Sequence, residues 1–296
     1  MGKDAFSGHH PTVSMLFFVL VIGFAMFLNH PICLGISLIC ALIYSIYLKG
    51  KKAVRFNIVY MLPLLLMTML INPLFSHQGV TTLTYLPDGN PLTLESIIYG
   101  VFAAFLLITV IAWFFCFNAI MTSDKFVYLF GRIIPALSLI LSMSLRFVPR
   151  FIAQIKVTSN AQKCVGRDVS NGGIIKRAKH GIKILSVMIT WALENAIETA
   201  DSMKSRGYGL PGRTAFSIYR FDKRDKNALL FLLLCGGGLL VGVVLGKLKF
   251  VYMPIMFGAE FDVWQAGLFI LYFALCALPI IINVKGDLEW RAINKA

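Results

Sequence analysis

A series of long apolar runs is the feature that most constrains this chain. Six runs of 17 to 22 residues occupy positions 13–29, 32–48, 56–72, 96–117, 228–246 and 266–284. A helix needs about 20 apolar residues to cross a bilayer. Only 14% of the residues are charged and the mean hydropathy is +0.77, whereas roughly a quarter of a soluble domain is charged. The sequence therefore predicts an all-α integral membrane protein.

Two further apolar runs, at 133–147 and 182–200, are interrupted or flanked by basic residues. They fit tilted or interfacial helices better than plain spans, so the fold is expected to contain about six to eight helices. The first apolar run is followed at once by Asn29-His30-Pro31 and a second run. This order predicts a hairpin of two membrane helices and not a cleaved signal peptide.

The distribution of Lys and Arg predicts the orientation of the chain, because cytoplasmic loops carry an excess of both. Segment 49–55 holds four basic residues, and 121–226 holds 18 Lys and Arg against 7 Asp and Glu. The loop 73–95 contains neither Lys nor Arg. The expected organisation is N-terminal membrane helices at 12–120, a cytoplasmic helical domain at 121–226, membrane helices at 227–285 and a cytoplasmic tail at 286–296, with both termini inside.

Other patterns favour structural roles. The loop 73–95 alternates apolar residues with threonines and then reads Pro-Asp-Gly-Asn at 87–90, which predicts an extended excursion closed by a turn. Gly238, Gly242 and Gly246 are spaced four apart, and this spacing favours close helix packing within the bundle over packing against a partner. Five of the six cysteines lie in apolar runs and are expected to be buried; no catalytic group and no metal site is predicted.

A turn rich in basic residues is expected where a long helix over 174–206 ends. Lys204 and Arg206 fall in its last turn and Gly207 comes just past its end. Favourable interaction with the helix dipole accounts for the two cations. It does not account for Asp201 and Tyr208, which together with a second glycine at 209 form a defined turn.

An earlier stretch, AQKCVGRD at 161–168, is similar. In each stretch an alanine lies six residues before an arginine, Ala161 before Arg167 and Ala200 before Arg206. A glycine adjoins each arginine, Gly166 in the first stretch and Gly207 in the second. An exposed guanidinium suits bidentate pairing with a carboxylate on another protein.

These residues resemble the Ala-x-x-x-Arg-Gly signature of the transmembrane T component (EcfT/CbiQ-like) of energy-coupling factor (ECF) transporters. SMKSRG fills the frame, with Ser202 where the family usually has Ala. NPLFSHQGVTTLTYLPDGNPLTLESIIYG and LSMSLRFVPRFIAQIKVTSNAQ also resemble family sequence, so the similarity covers most of residues 25–225.

The resemblance implies a non-catalytic scaffold in a prokaryotic cell membrane. In this family two such motifs dock in grooves on two ABC ATPase subunits, and the membrane part holds an S component that captures a vitamin or metal ion. No cofactor is expected on this chain, since its partners would use the ATP. Arg206 and Gly207 fill the second motif. In the first, Ala161 and Gly166 fit but Val165 replaces the arginine, which leaves Lys163 and Arg167 as candidates.

Four alternatives are weaker. A stand-alone channel or secondary transporter usually has ionisable residues within its spans, and the six runs contain almost none. A membrane-embedded enzyme would have to use Glu194, Glu198 and Asp201, which more commonly offset nearby cations. The chain is not expected to hydrolyse ATP itself. Its nearest approach to a phosphate loop, GVVLGKL at 242–248, lacks the glycine spacing and the Ser or Thr of that motif. Nucleic acid is not an expected partner, and much of the basic charge suits anionic lipid headgroups.

Overall fold

The computed structural model describes residues 4–76, 79–85, 90–131, 134–167, 169–170, 172–208, 210, 219–252, 257–258 and 262–293. Within these residues the chain is mainly helical, with two short β-hairpins. Its contacts divide it into two units, and each is described by itself. The first comprises residues 1–126 and 219–296, and the second comprises residues 127–218.

The described residues form nine α-helices. They are α1 Pro11–Phe27, α2 Pro31–Lys49, α3 Lys51–Phe75, α4 Leu94–Ile120, α5 Ser123–Gly131, α6 Pro135–Cys164, α7 Ile174–Ser205, α8 Lys223–Val244 and α9 Val263–Ile293. A π-helical segment, Asn57–Met61, lies within α3. Each of the six strongest apolar runs falls in a helix, and the short α5 was not predicted.

Five of these helices are long and apolar enough to cross a membrane: α2, α3, α4, α8 and α9. Helix α1 is apolar but has only 17 residues, which places it at the lower limit for a span. The prediction of an all-α membrane protein is therefore confirmed, and the chain is a multi-pass membrane protein.

The core of the first unit forms where α1, α2, α4 and α9 meet. Trp113 of α4 is fully buried there, and its indole N–H donates a hydrogen bond to Ser37 Oγ at 2.9 Å. Phe17 and Phe18 of α1 pack edge-on against the same indole. The indole thus buries a large apolar area while its one donor is satisfied.

Two helices of this unit begin with the same His-Pro pair. The Nδ1 atoms of His10 and His30 accept hydrogen bonds from the backbone N–H groups of Thr12 and Ile32, both at 3.3 Å. A proline occupies the first helical position of α1 and α2, where its missing N–H costs nothing. The sequence therefore fixes both helix starts locally.

The stretch before α1 is held by distant residues. The backbone N–H of Phe6 donates to Asn283 Oδ1 at 3.0 Å, and His9 Nδ1 lies 2.7 Å from Asp225 Oδ1. Lys125 Nζ donates to a backbone carbonyl of this stretch at 2.6 Å, and burial lowers the pKa of its ammonium group. Both Lys125 and Asp225 were expected in the basic domain, but they belong to the first unit.

The loop between α3 and α4 contains the predicted extended segment. Strands β1, Thr82–Tyr85, and β2, Pro91–Thr93, pair antiparallel. Residues 87–89 of the predicted turn at 87–90 lie outside the described residues. A second hairpin, β3 Phe250–Val251 with β4 Phe257–Gly258, joins α8 to α9 and was not predicted.

The three glycines spaced four apart in and after α8 serve two purposes. A Cβ at Gly238 would lie 2.8 Å from Leu271 Cδ2, and one at Gly242 would lie 2.6 Å from Leu268 Cδ1. These two glycines let α8 approach α9 closely. The prediction for Gly246 is wrong: it has φ +69° with open space around it, and it ends the helix.

Most of the C-terminal segment that was predicted as a cytoplasmic tail, 286–296, is helical. Helix α9 continues without a break to Ile293. Asp287 in this extension accepts a hydrogen bond from the hydroxyl of Tyr47 at 2.7 Å. Residues 286–293 therefore extend the last membrane helix.

Candidate functional site

The second unit is built on the pairing of α6 with α7. Phe151 packs edge-on against Trp191 with 5.4 Å between ring centroids, and the guanidinium of Arg150 lies 5.6 Å from the same indole. Further along, Thr158 Oγ1 lies 3.7 Å from Met188 Sδ. As residue numbers rise along α6 they fall along α7, so the two helices run antiparallel.

This arrangement separates the C-terminal ends of the two helices. Val165 lies seven residues beyond Thr158 and Arg206 lies 18 residues beyond Met188, which corresponds to about 10 Å and about 27 Å of helix. Because the helices run in opposite directions from their contact, the two ends lie up to about 37 Å apart. Each end can therefore meet a different protein surface.

Both ends have the same backbone geometry. Gly166 has φ +75° and Gly207 has φ +76°. Their N–H groups donate to the carbonyls of Lys163 and Lys204, each at 3.0 Å. The next N–H in each case donates to a carbonyl five residues back, at 2.9 and 3.0 Å. This is the Schellman motif, and it satisfies carbonyls that a helix end leaves without partners.

The shared geometry sets the two motifs in register. Ala161 takes the position of Ser202, Lys163 that of Lys204, Val165 that of Arg206, Gly166 that of Gly207 and Arg167 that of Tyr208.

Sequence spacing had matched Arg167 with Arg206 and Ala161 with Ala200. The cap geometry places Arg167 two positions after the equivalent of Arg206, and Ala200 two positions before the equivalent of Ala161. The two ends therefore share a lysine in the last turn but present their arginines from different positions.

The cationic side chains at both ends are exposed. Lys163 and Arg167 are exposed at the end of α6, as are Ser202, Lys204 and Arg206 at the end of α7. The lysines sit where the partial negative charge of the helix end favours a cation. Each end thus combines a sharp glycine turn with exposed positive charge, which suits an acidic groove.

The sequence reading missed an exposed apolar stripe on α7. Ile182, Leu185, Ile189, Leu193 and Ile197 follow helical spacing and are between 52% and 68% exposed. They lie on the side of α7 opposite the residues that contact α6. The spacing of three and four was visible in the sequence, but the sequence did not show which apolar face α6 would cover.

Helix α6 carries a comparable stripe, formed by Leu141, Leu145, Val148, Ile152 and Ile155, which are 37% to 52% exposed. Apolar surface of this extent marks a site for lipid or for another protein. The acids Glu194, Glu198 and Asp201 are exposed on α7. They lie outside both apolar stripes.

Replacing Gly207 with alanine should loosen the end of α7, because a Cβ at positive φ costs about 1–2 kcal/mol. Hydrogen exchange of peptides covering 198–208 should become about fivefold faster or more. The matched control is Gly181→Ala within α7, where a Cβ meets open space. That change should slow exchange in its own region, since alanine favours helix by up to about 1 kcal/mol. Equal effects of both variants would contradict the cap geometry.

Comparison with known proteins places the chain in a family. A family model described as cobalt transport protein, CbiQ, matches residues 2–218. The energy-coupling factor transporter transmembrane protein EcfT of Lactobacillus helveticus is 38% identical over 109 residues, which is 36% of this chain and 39% of that protein. EcfT of Staphylococcus aureus is 28% identical over 245 residues, 76% of this chain and 88% of that protein.

A third relative, EcfT 1 of Listeria monocytogenes, is 26% identical over 210 residues, which is 67% of this chain and 75% of that protein. The alignment with the Lactobacillus helveticus protein spans about two fifths of that protein's length. The family model extends over most of the chain, including both helix ends described above. The chain therefore belongs to the CbiQ family and is a T component similar to the EcfT transmembrane proteins of energy-coupling factor transporters.

Proposed function

We propose that this chain is the coupling scaffold of an ATP-driven ECF importer that takes up a vitamin or a metal ion. It would join two ABC ATPase subunits at the ends of α6 and α7 to a membrane-embedded S component that binds the substrate. The observation that carries this proposal is the pair of Schellman ends, which carry exposed cations and point in opposite directions.

The charge distribution supports a cytoplasmic position for these ends. Residues 121–226 carry a net charge of +11, and the loop 73–95 carries no basic residue. Positive charge is retained on the cytoplasmic side during insertion. Both chain termini would then lie in the cytoplasm, on the side where ATP is available to the partner subunits.

The exposed stripes of α6 and α7 support a second partner. A soluble ATPase that binds the helix ends would leave the middle of each helix uncovered. A membrane-embedded S component offers apolar surface of the kind that these stripes require. The second unit would thus bind ATPases through charge at its ends and the S component through apolar contacts between them.

In this mechanism the chain performs no chemistry itself. ATP-driven closure of the ATPase pair would move the ends of α6 and α7. Each helix is 30 residues or longer, and an α-helix of that length spans about 45 Å. The displacement at the ends would then reach the contact with the S component.

Reversing the charge of Arg206 tests the ATPase contact. Arg206→Glu should release the ATPase subunits on purification and abolish uptake, because removing one partner of a buried ion pair costs about 3–5 kcal/mol. The control is Lys183→Glu, which makes the same charge change at an exposed position away from the helix ends. A complex that stays intact and fully active with Arg206→Glu would refute the ATPase contact.

The register of the two caps predicts which residue serves the first end. Lys163 has a counterpart in Lys204, so Arg167 is the residue left to replace the guanidinium that Val165 lacks. Arg167→Ala should weaken binding of one ATPase by about tenfold or more, as for a charged hydrogen bond worth roughly 1.5–3 kcal/mol. Adding Val165→Arg should restore binding. Loss with Lys163→Ala and no rescue by Val165→Arg would assign the role to Lys163.

An acidic residue placed in the apolar stripe of α7 tests binding of the S component independently of binding of the ATPases. Ile189→Asp should weaken binding of the S component by about thirtyfold or more, the effect of losing a central interface residue, while the ATPases remain bound. Val187→Asp is the control, since Val187 is 41% exposed but lies off the stripe. The measurement is the amount of each subunit that co-purifies from membranes. If the amount of co-purified S component is unchanged, the stripe is not its binding site.

A further inference from the structure

The backbone joins the two units of the chain at two places. It leaves the first unit after Phe126 and returns to it at Tyr219. Residues 121–126 are called the outgoing connection below, and residues 219–225 the returning connection. Under the proposed function, movement of α6 and α7 passes along the backbone to the membrane helices at these two places. What holds the two connections therefore affects how that movement is passed on.

Residues 4–10 form an N-terminal strap that contacts both connections. In the outgoing connection, Lys125 Nζ donates to the backbone carbonyl of Ser7 at 2.6 Å. The side chain of Lys125 is buried. Because a buried ammonium group is costly without a hydrogen-bond acceptor, this contact holds Lys125 to the strap.

The returning connection is held through Asp225. Its Oδ1 atom lies 2.7 Å from His9 Nδ1 and accepts the backbone N–H of His10 at 3.1 Å. Its Oδ2 atom accepts the backbone N–H of Asp222 at 3.1 Å. Because an ionised carboxylate only accepts hydrogen bonds, His9 Nδ1 is the donor in the shorter contact. The strap thus supplies two of the donors that this buried carboxylate requires.

Ring contacts add to the hold on the returning connection. The ring of His10 lies 5.0 Å from that of Phe221 and 6.4 Å from that of Tyr219, edge-on in both cases. Burial and the nearby carboxylate of Asp124, in the outgoing connection, raise the pKa of the Tyr219 hydroxyl. The two connections are therefore neighbours.

The strap is itself fixed among the membrane helices. Phe6 is fully buried and packs edge-on against Phe17 of α1 and Tyr44 of α2. Its backbone N–H donates to the side chain of α9 already described. Ser7 and His10, which contact the two connections, are separated by at most about 11 Å of extended chain. One short, anchored segment thus binds both connections.

We propose that the N-terminal strap makes the two connections move as one body, so that displacement of α6 and α7 reaches the membrane helices and is not lost as separation of the connections. His9 and Lys125 are positioning residues in this role, since they act through the backbone. A strap that only anchored the chain end would need Phe6 but not polar contacts with both connections. The transmission of movement rests on the proposed coupling function, whereas the hold on the connections does not.

Spin labels on the two connections measure whether the strap holds them together. The labels are attached to Ser123→Cys and Arg224→Cys, at exposed positions, in the full chain with its exposed Cys164 changed to serine. Electron paramagnetic resonance gives the distribution of distances between the labels. His9→Ala should raise the population of longer distances about tenfold, because a hydrogen bond to a charged group is lost. His9→Asn, whose amide can donate to Asp225, should restore the distribution.

Nucleotide tests whether the connections stay together under load. The complex purified from native membranes and returned to vesicles is given AMP-PNP, a nonhydrolysable ATP analogue that holds ABC ATPase pairs closed. The distance between the labels at 123 and 224 should stay constant in the wild type and lengthen in His9→Ala. A second pair, Ser123→Cys with Lys183→Cys at an exposed position of α7, reports movement of α7 and should respond in both proteins.

Two further variants separate the hold on the connections from general stability. Lys125→Met keeps the length and apolar packing of the buried side chain but removes its donor, so it should also separate the labels at 123 and 224. It takes the place of His9→Ala if that variant does not fold. His30→Ala removes a buried imidazole at the opposite end of α1, and it should leave this distance unchanged.

Four results would overturn the proposal. The first is a wild-type distance in folded His9→Ala and Lys125→Met. The second is equal separation in His30→Ala, which would indicate general loss of stability. The third is no restoration by His9→Asn, and the fourth is separation of the connections by AMP-PNP in the wild type. If the label at 183 does not respond to AMP-PNP, the coupling function fails, while the distances without nucleotide still decide whether the strap holds the connections.

Discussion

Away from water, every backbone N–H and C=O of the chain must find a partner within the protein, and this requirement fixes where its helices begin and end. Histidine side chains accept from the N–H groups that open α1 and α2. Glycines at positive φ close α6, α7 and α8, each with the same pair of backbone hydrogen bonds. In α8 that turn completes a membrane helix, whereas in α6 and α7 it shapes an exposed end. The glycine turn that satisfies backbone hydrogen bonds at a helix end thus also forms the candidate site.

Much of this architecture could be predicted from local sequence. The apolar runs placed six helices, and Lys-Ser-Arg-Gly placed the end of α7 at Arg206. Features that depend on distant contacts could not be predicted. The stretch before α1 is held by Asp225 and Asn283, more than 200 residues away. The register of the first motif was also hidden, because spacing drew attention to Arg167 while the backbone turn is set by Gly166.

Among its described residues, the second unit buries few side chains. Two helices that pack along one face leave their other faces uncovered, and here those faces carry regularly spaced Ile, Leu and Val. A pair of isolated helices in water would gain too little apolar burial to offset the entropy of ordering. The stability of this unit therefore depends on what covers it. In the proposed complex, binding of the S component and the ordering of α6 and α7 would be one event.

The two helix ends are alike in backbone and different in side chains, and this difference has a consequence for assembly. In the proposed complex, each of two ATPase subunits would lie on a different helix end. If Arg206 and Arg167 approach their grooves from positions two residues apart, the two grooves need different shapes to give equally good bidentate geometry. Two distinct ATPase subunits can meet that need, while two identical ones cannot do so equally well. Under this proposal, the two caps would suit two different ATPase subunits, each with its own place on the scaffold.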